Sequence, residues 1–378
     1  MDTFNLMEIR ASYDLWWEGK NEEPIFCLAY PIKGGDFSST VKDWMSPQNT
    51  KEWCFWKQEL IFGQALELTI KTGDFKYIEE ALDLLEKYFE VTGYAGEGYP
   101  FLLPGFGPGV LSAFITNYSK FKSPSIWFEM EKPMEWEDLM KVDENTRAPF
   151  ADTAMEALKR LSARLKGKCV IAIPDLCGPL DILSSIRGVN NLLMDTMDYE
   201  EEMPEVINTI EKLWRKYFNE MSEIIDPNNC GSYTNVFRYL SSKPLHTSIC
   251  DFSAMISPRM FEEFALPTLK NDSKQFKGRL VYHLDGTGQL PHIDMLCSIQ
   301  GLHAIQWVPG AGNEDSLSEK HYPLYKKIIE SGKKICLSDD FNDGDRVKRL
   351  FKAFPKKEFL IHAIVKDEKQ ARELMKLK

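Results

Sequence analysis

In the segment VYHLDGTGQLPHIDML (residues 281–296), two histidines and two aspartates flank a glycine-rich turn. Side chains at i and i+2 of a strand face the same side, so His283 and Asp285 point together if VYHLD is extended. An imidazole and a carboxylate on one face can hold a metal ion, move a proton or grip a substrate. They can also simply satisfy each other at a strand end. Three more carboxylates, Asp175 in IPDLCG, Asp251 in CDFS and Asp339 in LSDD, close apolar runs and so fall at expected strand ends. Carboxylates converging on one mouth repel unless they are protonated, hydrogen-bonded or bound to a cation. Asp285, Asp251 and Asp175 are therefore the candidate catalytic groups. Tyr282, Gln306 and Trp307, at or near the ends of VYHLD and IQWVPG, join Asp339 as candidate substrate-binding residues. His292 and Asp294 follow Pro291 at a helix start and read as capping or surface residues. His303 precedes a strand at its structural end, and His246 and His321 belong to no constellation.

These side chains need a frame. Short β-rich runs at 169–175, 231–236, 279–286, 303–310, 333–340 and 358–365 alternate with amphipathic stretches, and the last four begin 24, 30 and 25 residues apart. That is the length of one strand–helix unit, and the alternation argues for a parallel sheet covered by helices. With PIFCLAYP (24–31) as a further first strand, the unit count predicts an α/β chain folded as a (β/α)8 barrel, its active site at the strand C-termini. Residues 197–225 hold a long amphipathic helix. The first part of the chain is less regular and mostly helical, an N-terminal extension. Its glycine- and proline-rich stretch YAGEGYPFLLPGFGPG lacks any nucleotide-loop signature and reads as a loop at the mouth. Trp16, Trp17, Trp53, Trp56, Tyr94 and Tyr99 are explained mainly by helix packing.

Composition narrows the function. The chain has 378 residues, 43% hydrophobic and 27% charged, with a net charge of −11. That field disfavours nucleic acid and anionic membranes and leaves a small-molecule substrate as the expected partner. No run approaches the ~18 apolar residues of a membrane span, and the N-terminal stretch has no signal-peptide core. Eight scattered cysteines without a CxxC pair read as reduced thiols. The expectation is a cytoplasmic protein.

CDFSAMISPRMFEEFALPTLK (250–270) and YHLDGTGQLPHIDMLCSIQGLHAIQWVPGAG (282–312) together resemble the uroporphyrinogen decarboxylase superfamily, a likeness running from about 169 to 378. The resemblance implies one barrel domain over 1–378, with 1–168 its less regular half. It offers two chemistries: cofactor-free decarboxylation of porphyrinogens, and zinc-dependent methyl transfer from corrinoids to thiols.

The decarboxylase pattern fails at several residues. The arginine-rich segment after the first strand is replaced by FCLAYPIKGGDF, with Ala29 at the first arginine position and Lys33 the nearby cation. No carboxylate follows Glu97 where that pattern has its aspartate. Its tyrosine falls near Ser184 and Ser185, and its serine on Asp251. A polycarboxylate substrate needs bidentate cations that neutral side chains cannot replace. The methyltransferase pattern H-x-C-G becomes His283-Leu284-Asp285-Gly286, and its later cysteine falls near His362. The resemblance thus implies a metal set of His283, Asp285 and His362, zinc as the metal, and a corrinoid presented by a partner protein. A corrinoid-linked methyltransferase is the leading expectation. A porphyrinogen-type decarboxylase and a non-catalytic binder of a small ligand or corrinoid are the alternatives.

Overall fold

The computed structural model describes residues 5–32, 44–45, 57–122, 125–128, 130–339 and 344–378. Lys33, Trp53, Cys54, Trp56 and the side chain of Asp339 lie outside the described residues.

The chain is a mixed α/β fold built on a seven-stranded sheet. Strand Ile25–Pro31 pairs in parallel with Phe359–Ile364, and Lys334–Asp339, Leu302–Val308, Leu280–Asp285 and His246–Ile249 follow in parallel order. Thr92–Gly96 adds an antiparallel edge beyond Ile25–Pro31. Strand periodicity sorts the side chains into two cores. Phe26, Leu28, Tyr282, Leu284, Ile305, Trp307, Leu337 and Ile361 pack beneath the helices. Ile25, Cys27, Ala29, Val281, Ala304, Cys336 and Leu360 form a second cluster, where small residues leave room for Tyr13, Trp16, Tyr99, Phe101 and Tyr239. Helix Leu6–Trp17 seals one end of this second core, and His303, at the start of its strand, meets the rings of Trp16 and Trp17 at 4.5 and 5.0 Å. Its expected structural placement holds.

The sheet does not continue into a closed hydrogen-bonded ladder among the described residues. Phe101–Leu102 and Val170–Ile171 pair only with each other, in parallel. The reason is visible at the free edge of Val170–Ile171. Helix Met203–Asn229 ends there in two buried asparagines. Asn229 accepts from the Ile171 N–H through Oδ1 at 2.9 Å and donates to the Ile171 carbonyl through Nδ2 at 2.8 Å. Asn228 donates to the Cys169 carbonyl at 2.8 Å. Two side-chain amides do what a neighbouring strand would do, satisfying buried backbone groups that cannot be left open.

The glycine-rich stretch has a packing role. A Cβ on Gly105 would lie 1.8 Å from the Glu59 carbonyl oxygen, and one on Gly63 would lie 2.4 Å from the Gly105 carbonyl oxygen. The two glycines let helix Lys57–Thr72 and the loop touch backbone to backbone.

Candidate active site

The inner face of the sheet turns polar toward the strand C-termini. Val281, Ala304, Cys336 and Leu360 belong to the apolar inner core; two residues further along the same strands stand His283, Gln306, Ser338 and His362. These four side chains line one cavity of about 310 Å³, together with Phe237 and Arg238.

His283 is held on both sides. Its Nδ1 lies 2.7 Å from Gln306 Oε1. A carbonyl oxygen only accepts, so Nδ1 is the donor in this bond and Nε2 is the ring nitrogen left for another partner. Gln306 is fixed in turn by donating from Nε2 to Ser338 Oγ at 3.3 Å. The Phe237 ring stacks on the imidazole at 4.8 Å. The free Nε2 faces carboxylates: Asp285 Oδ2 is 3.9 Å away. Ligand atoms of Asp251, His283 and Asp285 all lie within 4.8 Å of one another. Two strand features produce this group. Asp285 ends its strand before Gly286, whose φ of +80° turns the chain away. Ile249 is the register partner of His283, which places Asp251, two residues on, beside the imidazole.

The electrostatics are those of crowded acids. Withdrawal from water raises the Asp251 carboxyl, the His283 side chain opposes that rise and Asp285 adds to it. Asp175, beyond the end of Val170–Ile171, is raised by burial, while the Cys177 N–H bonded to it at 2.8 Å pulls the other way. Asp181 is pushed up to about 7 by burial and the nearby Asp251 charge, even though its Oδ1 accepts from the Phe252 N–H at 2.8 Å. Carboxyls in this state readily take a proton or a cation.

His362 lines the cavity with His283 but stands outside the three-residue group, where Asp251 occupies the third place. Burial and the Arg238 charge hold its imidazole well below the usual range, so it is neutral. Gln306 is in the cavity wall. Tyr282 and Trp307 are not. Each is one residue out of phase with the inner face and points into the helix-covered core: Tyr282 donates to Gln289 Oε1 at 3.0 Å, and Trp307 meets the His321 ring at 5.5 Å. Strand alternation, which brings His283 and Gln306 in, turns these two out. His292 is also placed differently from its expectation. It is buried flat against Phe261 at 4.3 Å, with Nε2 2.8 Å from the Ser253 carbonyl oxygen. Asp294 is on the surface, paired with Lys327 at 2.6 Å.

Sequence reasoning missed Phe237, Arg238 and Ser338. Ser338 carried a usable signal, since it stands one position before the flagged Asp339 in the same strand. Arg238 carried only the oddity of a cation inside the apolar run NVFRYL.

No protein-family model matches the chain, and no curated protein matches it. Among solved structures, a methyltransferase from Methanosarcina mazei is similar over 98% of this chain and 97% of its own, with a TM-score of 0.57 at 12% identity. The two share a fold from end to end.

Proposed function

We propose that this chain is a metal-dependent methyltransferase with a (β/α)8-barrel architecture of the uroporphyrinogen decarboxylase superfamily, acting in the cytoplasm, whose methyl donor is a corrinoid carried by a partner protein. The observation that carries the reading is the Asp251, His283 and Asp285 group, with ligand atoms within 4.8 Å and the imidazole Nε2 turned toward the Asp285 carboxylate. Its donor set, one nitrogen and two carboxylates with room for further ligands, suits zinc or ferrous iron. The likeness to a methanogen methyltransferase supports the choice of reaction class.

A divalent cation bound there supplies Lewis acidity, lowering the pKa of an acceptor group so that it is nucleophilic near neutral pH. The chain does the rest. Gln306 and Ser338 fix the tautomer and angle of His283. Asp175, close enough to feel both Asp251 and His283, is the proton acceptor when the acceptor group is deprotonated. Phe237 shields one face of the imidazole from water.

Zinc titration of the purified protein, with elemental analysis, tests the metal. Stoichiometric binding lost in His283→Ala and Asp285→Ala is expected. Methyl transfer from methylcobalamin to a thiol, followed by the loss of the methyl-corrinoid absorbance, tests the reaction. A protein that binds no zinc and decarboxylates uroporphyrinogen without it would overturn the proposal in favour of the decarboxylase reading.

A further inference from the structure

The acidic group depends on one residue that the sheet itself does not hold. His283 and Asp285 belong to a paired strand, but Asp251 lies two residues past the last pairing of its own strand, Ile249 with His283. Cys250, with a ψ of 75°, has already left the extended conformation, and Asp251 opens a tight helical turn, Asp251–Met255. Asp251 is exposed, whereas the next two residues, Phe252 and Ser253, are buried. An exposed carboxylate on an unpaired turn is free to swing away unless the turn is fastened.

Two elements fasten it. Asp181, in the first turn of helix Pro179–Arg187, accepts from the Phe252 N–H through Oδ1 at 2.8 Å. The N–H groups of Asp251 and Gly178 act on the same carboxylate. The helix can come this close because Gly178 precedes it: a Cβ there would lie 2.0 Å from the Ile249 carbonyl oxygen. Its φ of −82° is open to any residue, so contact and not conformation requires the glycine.

The second element is TGQLPH, the segment that follows Gly286. His292, 1% exposed, lies flat against Phe261 and places Nε2 2.8 Å from the Ser253 carbonyl oxygen, which can only accept. Its Nδ1 is buried with no hydrogen-bond partner among the described residues, so the Ser253 carbonyl is the polar contact that accounts for a histidine here. The Tyr282 hydroxyl, which donates to Gln289 Oε1, lies 3.5 Å from Ser253 Oγ. A Cβ on Gly288 would lie 3.0 Å from the Ala254 side chain, so this segment too is packed tightly on the turn.

We propose that Asp181 and His292 are positioning residues that clamp the Asp251–Met255 turn, so that the Asp251 carboxylate meets His283 and Asp285. The inference rests on the metal reading for what that carboxylate holds, but the clamp itself is measurable on metal-free protein. Hydrogen-bonded supports of this kind orient a ligand residue without touching what it binds.

Zinc affinity is measured by chelator competition on the full-length protein, and amide exchange across Asp251–Met255 on its metal-free form. Asp181→Asn and Asp181→Ala remove the same charge, and only asparagine keeps the Oδ1 acceptor, so their difference isolates the bond to Phe252. The alanine variant is expected to bind zinc about 10- to 100-fold more weakly than the asparagine variant and to exchange about tenfold faster in the turn. His292→Phe, which keeps the stack on Phe261 and removes the donor, should weaken zinc binding and speed exchange in the same sense. In an Asp251→Ala background the asparagine–alanine difference in zinc affinity should vanish, which a general loss of stability would not produce. Equal zinc affinities of the two Asp181 variants, or a difference that persists without Asp251, would overturn the proposal. So would a folded His292→Phe protein with parental affinity and exchange, an arm that stands even if Asp181→Ala fails to fold. A parent that binds no zinc would defeat the metal reading alone; the clamp is then judged by exchange, and parental protection in folded Asp181→Ala protein overturns it.

Discussion

Replacing Asn229 with alanine should unfasten the strand that leads to Asp175. The carboxamide satisfies both backbone groups of Ile171, a residue with no solvent exposure. Alanine leaves one buried N–H and one buried C=O without partners, each costing about 1–3 kcal/mol. Asn228 keeps its bond to the Cys169 carbonyl but loses Asn229 Oδ1, its second acceptor at 3.0 Å. Partial entry of water limits the total, and a loss of about 2–5 kcal/mol is expected. With an unfolding entropy near 2.1 cal/mol/K per residue, that lowers Tm by roughly 3–6 °C. Urea unfolding followed by tryptophan fluorescence reads the free energy, and amide exchange at Ile171 reads the local effect. Asn229→Asp sharpens the test. It keeps an acceptor for the Ile171 N–H but sets a carboxylate against the Ile171 carbonyl, so at neutral pH it should be at least as destabilising as alanine. An alanine variant within about 0.5 kcal/mol of the parent, the range of ordinary surface changes, would refute the idea that the side chain replaces a strand. So would an aspartate variant of full stability at pH 7.

Two further perturbations probe the site and its scaffold. Gln306→Leu removes the acceptor that fixes the His283 tautomer and should weaken zinc binding about 10- to 100-fold, while Gln306→Glu should retain it; identical affinities by chelator competition would show that Gln306 does not orient the ligand. Behind the sheet, burial pushes Asp272 up to about 7 and His246 down to about 3. The Asp272 contribution, with its folded pKa above the unfolded ~3.9, is full at low pH and lost as pH rises toward 7; Asp272→Asn should abolish that loss. The His246 contribution, with its folded pKa below the unfolded ~6.5, is full above that value and lost as pH falls toward 3, a loss that His246→Phe should remove. Urea midpoints from pH 4 to 8 separate the two, and a variant-to-parent difference that stays constant with pH would count against either.

What the sequence made legible follows from which interactions are local. The strands expected at 279–286, 303–310, 333–340 and 358–365 appear as Leu280–Asp285, Leu302–Val308, Lys334–Asp339 and Phe359–Ile364, because their β-branched apolar runs bury both faces. The run at 169–175 is strand only over Val170–Ile171, since asparagines from a distant helix end take over its edge. The run at 231–236 yields a short hairpin strand, Tyr233–Thr234, and the sheet instead uses His246–Ile249. That strand was not legible as an apolar run because Ser248 faces a buried carboxyl, donating to Asp272 at 2.7 Å. In the site, the pairing of His283 with Asp285 was legible because its logic is a period of two. The same period should have excluded Tyr282 and Trp307, which stand next to inward-facing residues in the chain. Arg238 was invisible because its position depends on a left-handed turn held by Tyr99 and Asn235, and no local pattern encodes that.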